Sequence, residues 1–84
     1  MSWQIHIPDR VRKRIKKFPA NDRGRIIIAL REFELNPWNG DIVKLDEKSI
    51  WRRRVGNYLI IYCININAKL VEIKEIQRRT SSTY

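Results

Sequence analysis

Gly56-Asn57 narrows the architecture open to this chain more than any other stretch. It separates two runs rich in β-branched and aromatic residues, Ile50 to Val55 and Tyr58 to Ile66. Two such runs joined by a Gly-Asn pair read as an antiparallel hairpin with a two-residue turn. That turn sets the register, pairing Val55 with Tyr58, Arg54 with Leu59, Arg53 with Ile60 and Arg52 with Ile61. Side chains alternate along a strand, so Arg52 and Arg54 share one face and Arg53 lies on the other.

The segments around the hairpin supply a helical layer and the rest of a sheet. Trp3-Gln4-Ile5-His6-Ile7 alternates and reads as a short strand that Pro8 ends, with His6 turned away from Trp3, Ile5 and Ile7. From Pro8-Asp9 the period changes: Val11, Ile15 and Phe18 fall at i, i+4 and i+7, one helical stripe closed by Pro19. A second helix, capped by Asn21 or Asp22, buries Ile26, Ile27, Leu30 and Phe33 and stops at Asn36-Pro37. Trp38 to Asp41 is turn chemistry, Ile42 to Leu45 a strand and Asp46 to Ser49 a loop. Asn65, Asn67 and Ala68 make a further turn, and Lys69 to Arg79 forms the last strand. The predicted order is β-α-α-β-β-β-β, an α+β fold of two N-terminal helices on one face of a small, mainly antiparallel sheet.

Eighty-four residues make one domain, 1–84. Its 18 Lys and Arg against 9 Asp and Glu give a net charge of +9, and 11 of the 18 bases are Arg. Guanidinium binds phosphate and carboxylate bidentately, so this balance points to nucleic acid or to an acidic protein partner. The single Cys63 excludes an internal disulfide framework and a cysteine-cluster zinc site, and inside Leu59 to Ile66 it reads as a buried small hydrophobe. The N-terminus lacks a signal-peptide pattern, and no apolar run approaches the roughly 20 residues that cross a bilayer. A cytoplasmic protein with no membrane role is expected.

The cations fall into three groups. Helix one carries Arg10, Arg12, Lys13, Arg14, Lys16 and Lys17 with no acid among them. Like charges at i, i+3 and i+4 repel by a few tenths of a kcal/mol each, so the imbalance calls for an external anion or acidic partner beyond the needs of a solvated helix face. The second group is Arg52-Arg53-Arg54, and the third is Arg78-Arg79 ahead of an acid-free tail ending in Tyr84. The alternative reading of these strand charges is that they only block edge-to-edge aggregation.

No glycine-rich phosphate loop is present, and one histidine near the N-terminus does not build a nucleophilic triad. Asp41, Asp46 and Glu47 read as solvated loop carboxylates rather than metal ligands, so no cofactor or metal is expected. One reaction tolerates that shortage: RNA cleavage by its own 2′-hydroxyl, in which the protein supplies positioning, charge and proton transfer. Clustered Arg would stabilise charge developing on the phosphate oxygens. A Lys or Tyr among them, Lys44 or Tyr84, would have its pKa lowered by the surrounding charge. Tyr84 could instead stack on an unpaired base, or fray as a terminal residue without a role.

The helix-ending Asn36-Pro37, the run Arg54-Val55-Gly56-Asn57-Tyr58-Leu59-Ile60-Ile61-Tyr62 and the closing Ile73 to Arg79 with Tyr84 resemble the RelE/ParE superfamily of type II toxin-antitoxin systems. The likeness covers almost the whole chain, and Arg-Val-Gly-Asn-Tyr is its most specific motif. It implies a RelE-like fold and two possible activities: the RelE branch enters the ribosomal A site and cuts messenger RNA, whereas the ParE branch inhibits DNA gyrase. Carried across, Arg78 matches an arginine ending the last strand, Tyr84 a C-terminal catalytic or stacking tyrosine, and Arg52 and Arg54 basic positions before the hairpin used for phosphate contact and proton transfer. The catalytic set is then Arg52, Arg54, Arg78 and Tyr84, with Lys44, Arg53, Arg79, Arg12, Lys13 and Lys16 as RNA contacts. The family usually has Arg directly after the hairpin tyrosine; this chain has Leu59. The resemblance also implies neutralisation by a cognate antitoxin with an acidic amphipathic helix, in a hetero-oligomeric complex. Open alternatives are a gyrase inhibitor without nuclease activity and an inactive homologue that binds only its antitoxin.

Overall fold

In the computed structural model, which describes residues 2–45 and 49–78, the chain runs β1 (Gln4–His6), α1 (Asp9–Lys16), α2 (Ala20–Leu35), β2 (Ile42–Lys44), β3 (Ile50–Val55), β4 (Tyr58–Asn65) and β5 (Leu70–Arg78). This is the expected α+β order. The five strands lie in the order β1-β5-β4-β3-β2. All neighbours are antiparallel except β1, which joins β5 in parallel by pairing Gln4 with Leu70 and His6 with Glu72. Both helices cover one face of this sheet and leave the other uncovered.

The hairpin register is the one the turn dipeptide predicts, from Val55 opposite Tyr58 to Arg52 opposite Ile61. Gly56 sits at φ +59 and Asn57 has a negative φ, the pattern of a type II′ turn with glycine at its first central position. Between the helices and the sheet, Ile26, Phe33, Ile60, Tyr62, Val71, Ile73 and Ile76 are fully buried. Each such side chain contributes about 1.5–3 kcal/mol relative to exposure. Helix α1, with eight residues, is too short to persist in water alone and holds its shape by seating Val11 and Ile15 on this core.

Three expectations about the elements are corrected. Helix α2 starts at Ala20 after Pro19, so neither Asn21 nor Asp22 is its N-cap; Asp22 instead accepts a hydrogen bond from the Tyr58 hydroxyl at 2.9 Å. Its buried stripe is Ile26, Ala29, Leu30 and Phe33, with Ile27 40% exposed, because Ile27 stands about 100° around the helix from Ile26. Cys63 is half-buried, since its register opposite Ile50 and Glu72 places it on the uncovered face. The loop carboxylates Asp46 and Glu47 lie outside the described residues.

Candidate nucleic-acid interface

Pairing sorts the cations by face. On β3, Arg52 lies opposite Ile61 of β4 and Val43 of β2, and Arg54 lies opposite Leu59. The Arg54 backbone N–H donates to the Asp41 carbonyl at 3.0 Å, which ties the turn before β2 to the same stretch. Arg52, Arg54, Leu59, Val43 and Asp41 line a cavity of about 280 Å³ on the uncovered face. Leu59, Ile61 and Cys63 run along β4 as a half-buried apolar stripe, with Arg52 and Arg54 on one side and Glu72 and Glu75 on the other. A polyanion can therefore lie along β3, with apolar side chains beside it to meet unpaired bases.

Arg53 points the opposite way. Its guanidinium pairs with the Glu32 carboxylate of α2 and stands 5.5 Å from the centre of the Phe33 ring. Its side chain is 12% exposed, and its Nε and Nη1 are buried without a partner. A residue expected to contact RNA is thus engaged in the core; alternation along β3, with Glu32 across from it, draws it there. An added Cβ at Gly40 would come within 2.8 Å of Arg53 Nε, so a side chain at Gly40 (φ +95) would crowd the guanidinium as well as strain the backbone.

The turn that presents Asp41 is anchored from the same side. The buried Tyr62 hydroxyl donates to the Pro37 carbonyl at 3.0 Å, and Trp38 meets Trp3 edge-on at 5.3 Å between ring centres. Burial pushes the Tyr62 phenol up to about 12, while the Arg53 charge pulls the other way.

The remaining expected site residues do not gather around Arg52 and Arg54. Arg78 pairs with Tyr58, a core residue, so its side chain leaves the sheet on the helix side, at the end of β5. Burial, the hydrogen bond to Asp22 and the Asp22 charge raise the Tyr58 pKa above its ordinary value, and the nearby Arg78 charge partly offsets them. Lys44 pairs with Trp51 and also belongs to the helix side. Arg12, Lys13 and Lys16 are exposed on α1; Arg12 Nε donates to the Ile7 carbonyl at 3.3 Å. Arg79 and Tyr84 lie outside the described residues. Asp41 is exposed in the turn before β2, as expected of a solvated loop carboxylate, and it also lines the cavity; extending the β2–β3 register by one residue beyond Ile42 opposite Arg53 puts it beside Arg54. Among the described residues no cluster of His, Cys, Asp and Glu is arranged to hold a metal ion, and no helix is long and apolar enough to cross a membrane.

Two layers, five strands in this order and a pair of arginines on the uncovered face define a small basic α+β domain of the RelE fold. The chain is similar to RelE in an archaeal RelE-RelB complex from Pyrococcus horikoshii, with a TM-score of 0.86 and 24% identity over 98% of this chain and 100% of that one. It is also similar to RelE of the RelB-RelE antitoxin-toxin complex from Methanococcus jannaschii, at 26% identity and a TM-score of 0.70, covering 87% of this chain and 88% of the other. The isolated E. coli RelE toxin superposes with a TM-score of 0.81 at 13% identity, over 96% and 88% of the two chains. No protein-family model matches the sequence, and no curated protein matches it. The chain is RelE-like in fold.

Proposed function

We propose that this protein is a RelE-like toxin, a metal-independent endoribonuclease that cuts translated messenger RNA in the ribosomal A site. In this reading it acts in the cytoplasm and is neutralised by a cognate antitoxin, as RelE is accompanied by RelB in the archaeal complexes it is similar to. The observation that carries the reading is the pairing of Arg52 and Arg54 on the uncovered face, around a cavity that also holds Asp41.

The chemistry asked of that cavity is modest. The 2′-oxygen of the substrate loses its proton and attacks the adjacent phosphorus, the bond from phosphorus to the 5′-oxygen breaks with Arg52 or Arg54 hydrogen-bonded to the leaving oxygen, and that oxygen takes up a proton by way of solvent, giving a cyclic phosphate and a 5′-hydroxyl. Arg52 and Arg54 bind the phosphate and stabilise the charge that grows on its oxygens, the kind of electrostatic contribution that dominates such reactions. In this reading Asp41, on the cavity wall, accepts the 2′-proton, a task the sequence alone does not assign to it. The roles that the resemblance gives Arg78 and Tyr84, phosphate stabilisation and base or stacking platform, rest on that resemblance alone, since the Arg78 side chain leaves the sheet on the helix side.

One observation favours the ParE-like reading, inhibition of gyrase without cleavage: Leu59 occupies the cavity wall beside Arg54, where the family usually has arginine. Induced expression in a bacterium with 5′-end mapping of transcripts, for this chain and for its Leu59→Arg variant, separates the readings. Cuts inside translated frames with both chains support nuclease action carried by Arg52 and Arg54. Cuts with the variant alone assign an impaired nuclease, and intact transcripts with both, together with a DNA-damage response, reject nuclease action in favour of gyrase.

A further inference from the structure

Helix α2 is apolar on two sides. One face, Ile26, Ala29, Leu30 and Phe33, is buried against the sheet. On the opposite face Ile28 is 59% exposed and Leu35 79%, while Ile27 stands at the edge of a groove of about 260 Å³ that it lines with Ile5, Ile7 and Leu30. A helix with apolar residues all round is ordinarily covered on every side, and among the described residues nothing covers the outer side of this one. Local structure does not ask for these side chains either, since β-branched isoleucine is a poorer helix former than alanine, lysine or glutamate.

Charge separates this face from the rest of the surface. Helix α2 carries three acids, Asp22, Glu32 and Glu34, and three bases, Arg23, Arg25 and Arg31, so the net +9 of the chain resides elsewhere. Two copies of the chain can approach through α2 without the repulsion that their other surfaces impose.

The spacing is self-complementary as well. Ala20, Gly24, Ile28, Arg31 and Leu35 recur every three or four residues and fall in one line on the outer face. Laid antiparallel about a two-fold axis between Ile27 and Ile28, two such helices bring four isoleucines together at the centre. Gly24 then lies opposite Arg31 of the second copy and Ala20 opposite its Leu35, so that small residues face long ones. Glu34 falls beside Arg23 of the second copy, and the two-fold repeats that pair of opposite charges. Within the chain Nη1 of Arg23 donates to the Lys16 and Phe18 carbonyls at 3.3 and 3.5 Å, neutral acceptors that leave its charge uncompensated. The one ion pair among the described residues is Arg53 with Glu32, so Glu34 has no close cation of its own. Inside the chain an added Cβ at Gly24 meets nothing within 4 Å. Packing in the monomer therefore does not require glycine in this helix, where it costs stability; close approach of a second helix does.

We propose that the outer face of α2 is a self-association surface, on which a second copy of this chain packs antiparallel to form a symmetric dimer. The dimer leaves Arg52 and Arg54 open on the other face of the sheet, and it does not depend on the cleavage reading. One helix pair buries less than the roughly 1,200 Å² of a standard interface, so the dimer is weak and exchanges with the monomer.

The test is sedimentation equilibrium of the full chain from about 1 µM to about 500 µM, the range of weak association, with the variants Ile28→Glu and Gly24→Gln. The wild type is expected to pass from monomer to dimer across that range, and each variant to raise the dissociation constant at least tenfold. In the dilute monomer Gly24→Gln is expected to raise the melting temperature, because glutamine is the better helix former. A gain in monomer stability together with a loss of dimer separates an interface role from a role in the fold. A wild type that stays monomeric throughout overturns the proposal and gives this face to a chain of different sequence. A dimer that both variants leave intact places the contact elsewhere, and a melting temperature lowered by Gly24→Gln returns the glycine to the monomer fold; either also overturns it. Loss of transcript cleavage in cells alters none of these readings.

Discussion

Among the described residues Glu32 is the only carboxylate that meets the Arg53 guanidinium, and it is 41% exposed while Arg53 is 12% exposed. Glu32→Ala leaves a nearly buried cation uncompensated and is expected to cost about 1–3 kcal/mol, below the 3–5 of a fully buried pair. Replacing both residues, Glu32→Ala with Arg53→Met, removes the charge as well and should recover most of that loss; urea denaturation of the two variants checks the difference. At Tyr62 the phenol titrates near 12 in the fold against about 10 when unfolded. The folded state holds the proton more tightly, so Tyr62 contributes stability that is complete below pH 10 and is lost as pH rises toward 12, by up to roughly 1.4 kcal/mol per unit. Unfolding free energies of the wild type and Tyr62→Phe, measured from pH 9 to 12, should converge over that window. The alternation that puts Arg52 and Arg54 together was legible from the turn dipeptide alone. The Arg53–Glu32 pair was not, because nothing local joins a strand residue to a helix residue 21 positions away.

At the scale of elements, the strands and helices were readable because their hydrophobic periods change at proline and glycine. Pro8, Pro19 and Pro37 each stand at a boundary, and β3 and β4 end on the two-residue turn. The phase of α2 was less legible: Ile27 has the more apolar side chain, yet Ala29 faces the sheet, where a small residue lets the helix approach. Ala29→Leu should therefore cost about 1–3 kcal/mol by overpacking, while Ile27→Gln should stay within about 0.5 kcal/mol of the wild type. Thermal melts of the two variants check this; the reverse order would return Ile27 to the core. The β-bulge at Lys74 is marked in the sequence by a slip in alternation, with Lys74-Glu75 as two consecutive polar residues between the buried Ile73 and Ile76.

Across the whole molecule, the sheet order and the parallel union of β1 with β5 come from contacts between chain ends, which composition and period do not encode. They are what leave one sheet face without helices. The hollow around Arg52 and Arg54 was expected in part, for the hairpin register gave two of its residues, while Asp41 joined only through the β2 pairing. Asp41→Asn should lower cleavage by on the order of 10²–10⁴ without changing RNA affinity, whereas loss of affinity with unchanged cleavage per bound complex would make Asp41 a binding residue. The central claim is that Arg52 and Arg54 make this face a nuclease site. Its most direct measurement is cleavage of a defined messenger RNA on programmed ribosomes by the purified protein and by Arg52→Gln/Arg54→Gln, in the presence of a chelator. The account predicts cuts within the A-site codon by the wild type and none by the variant; an intact message with the wild type, or equal cutting by both, would contradict it.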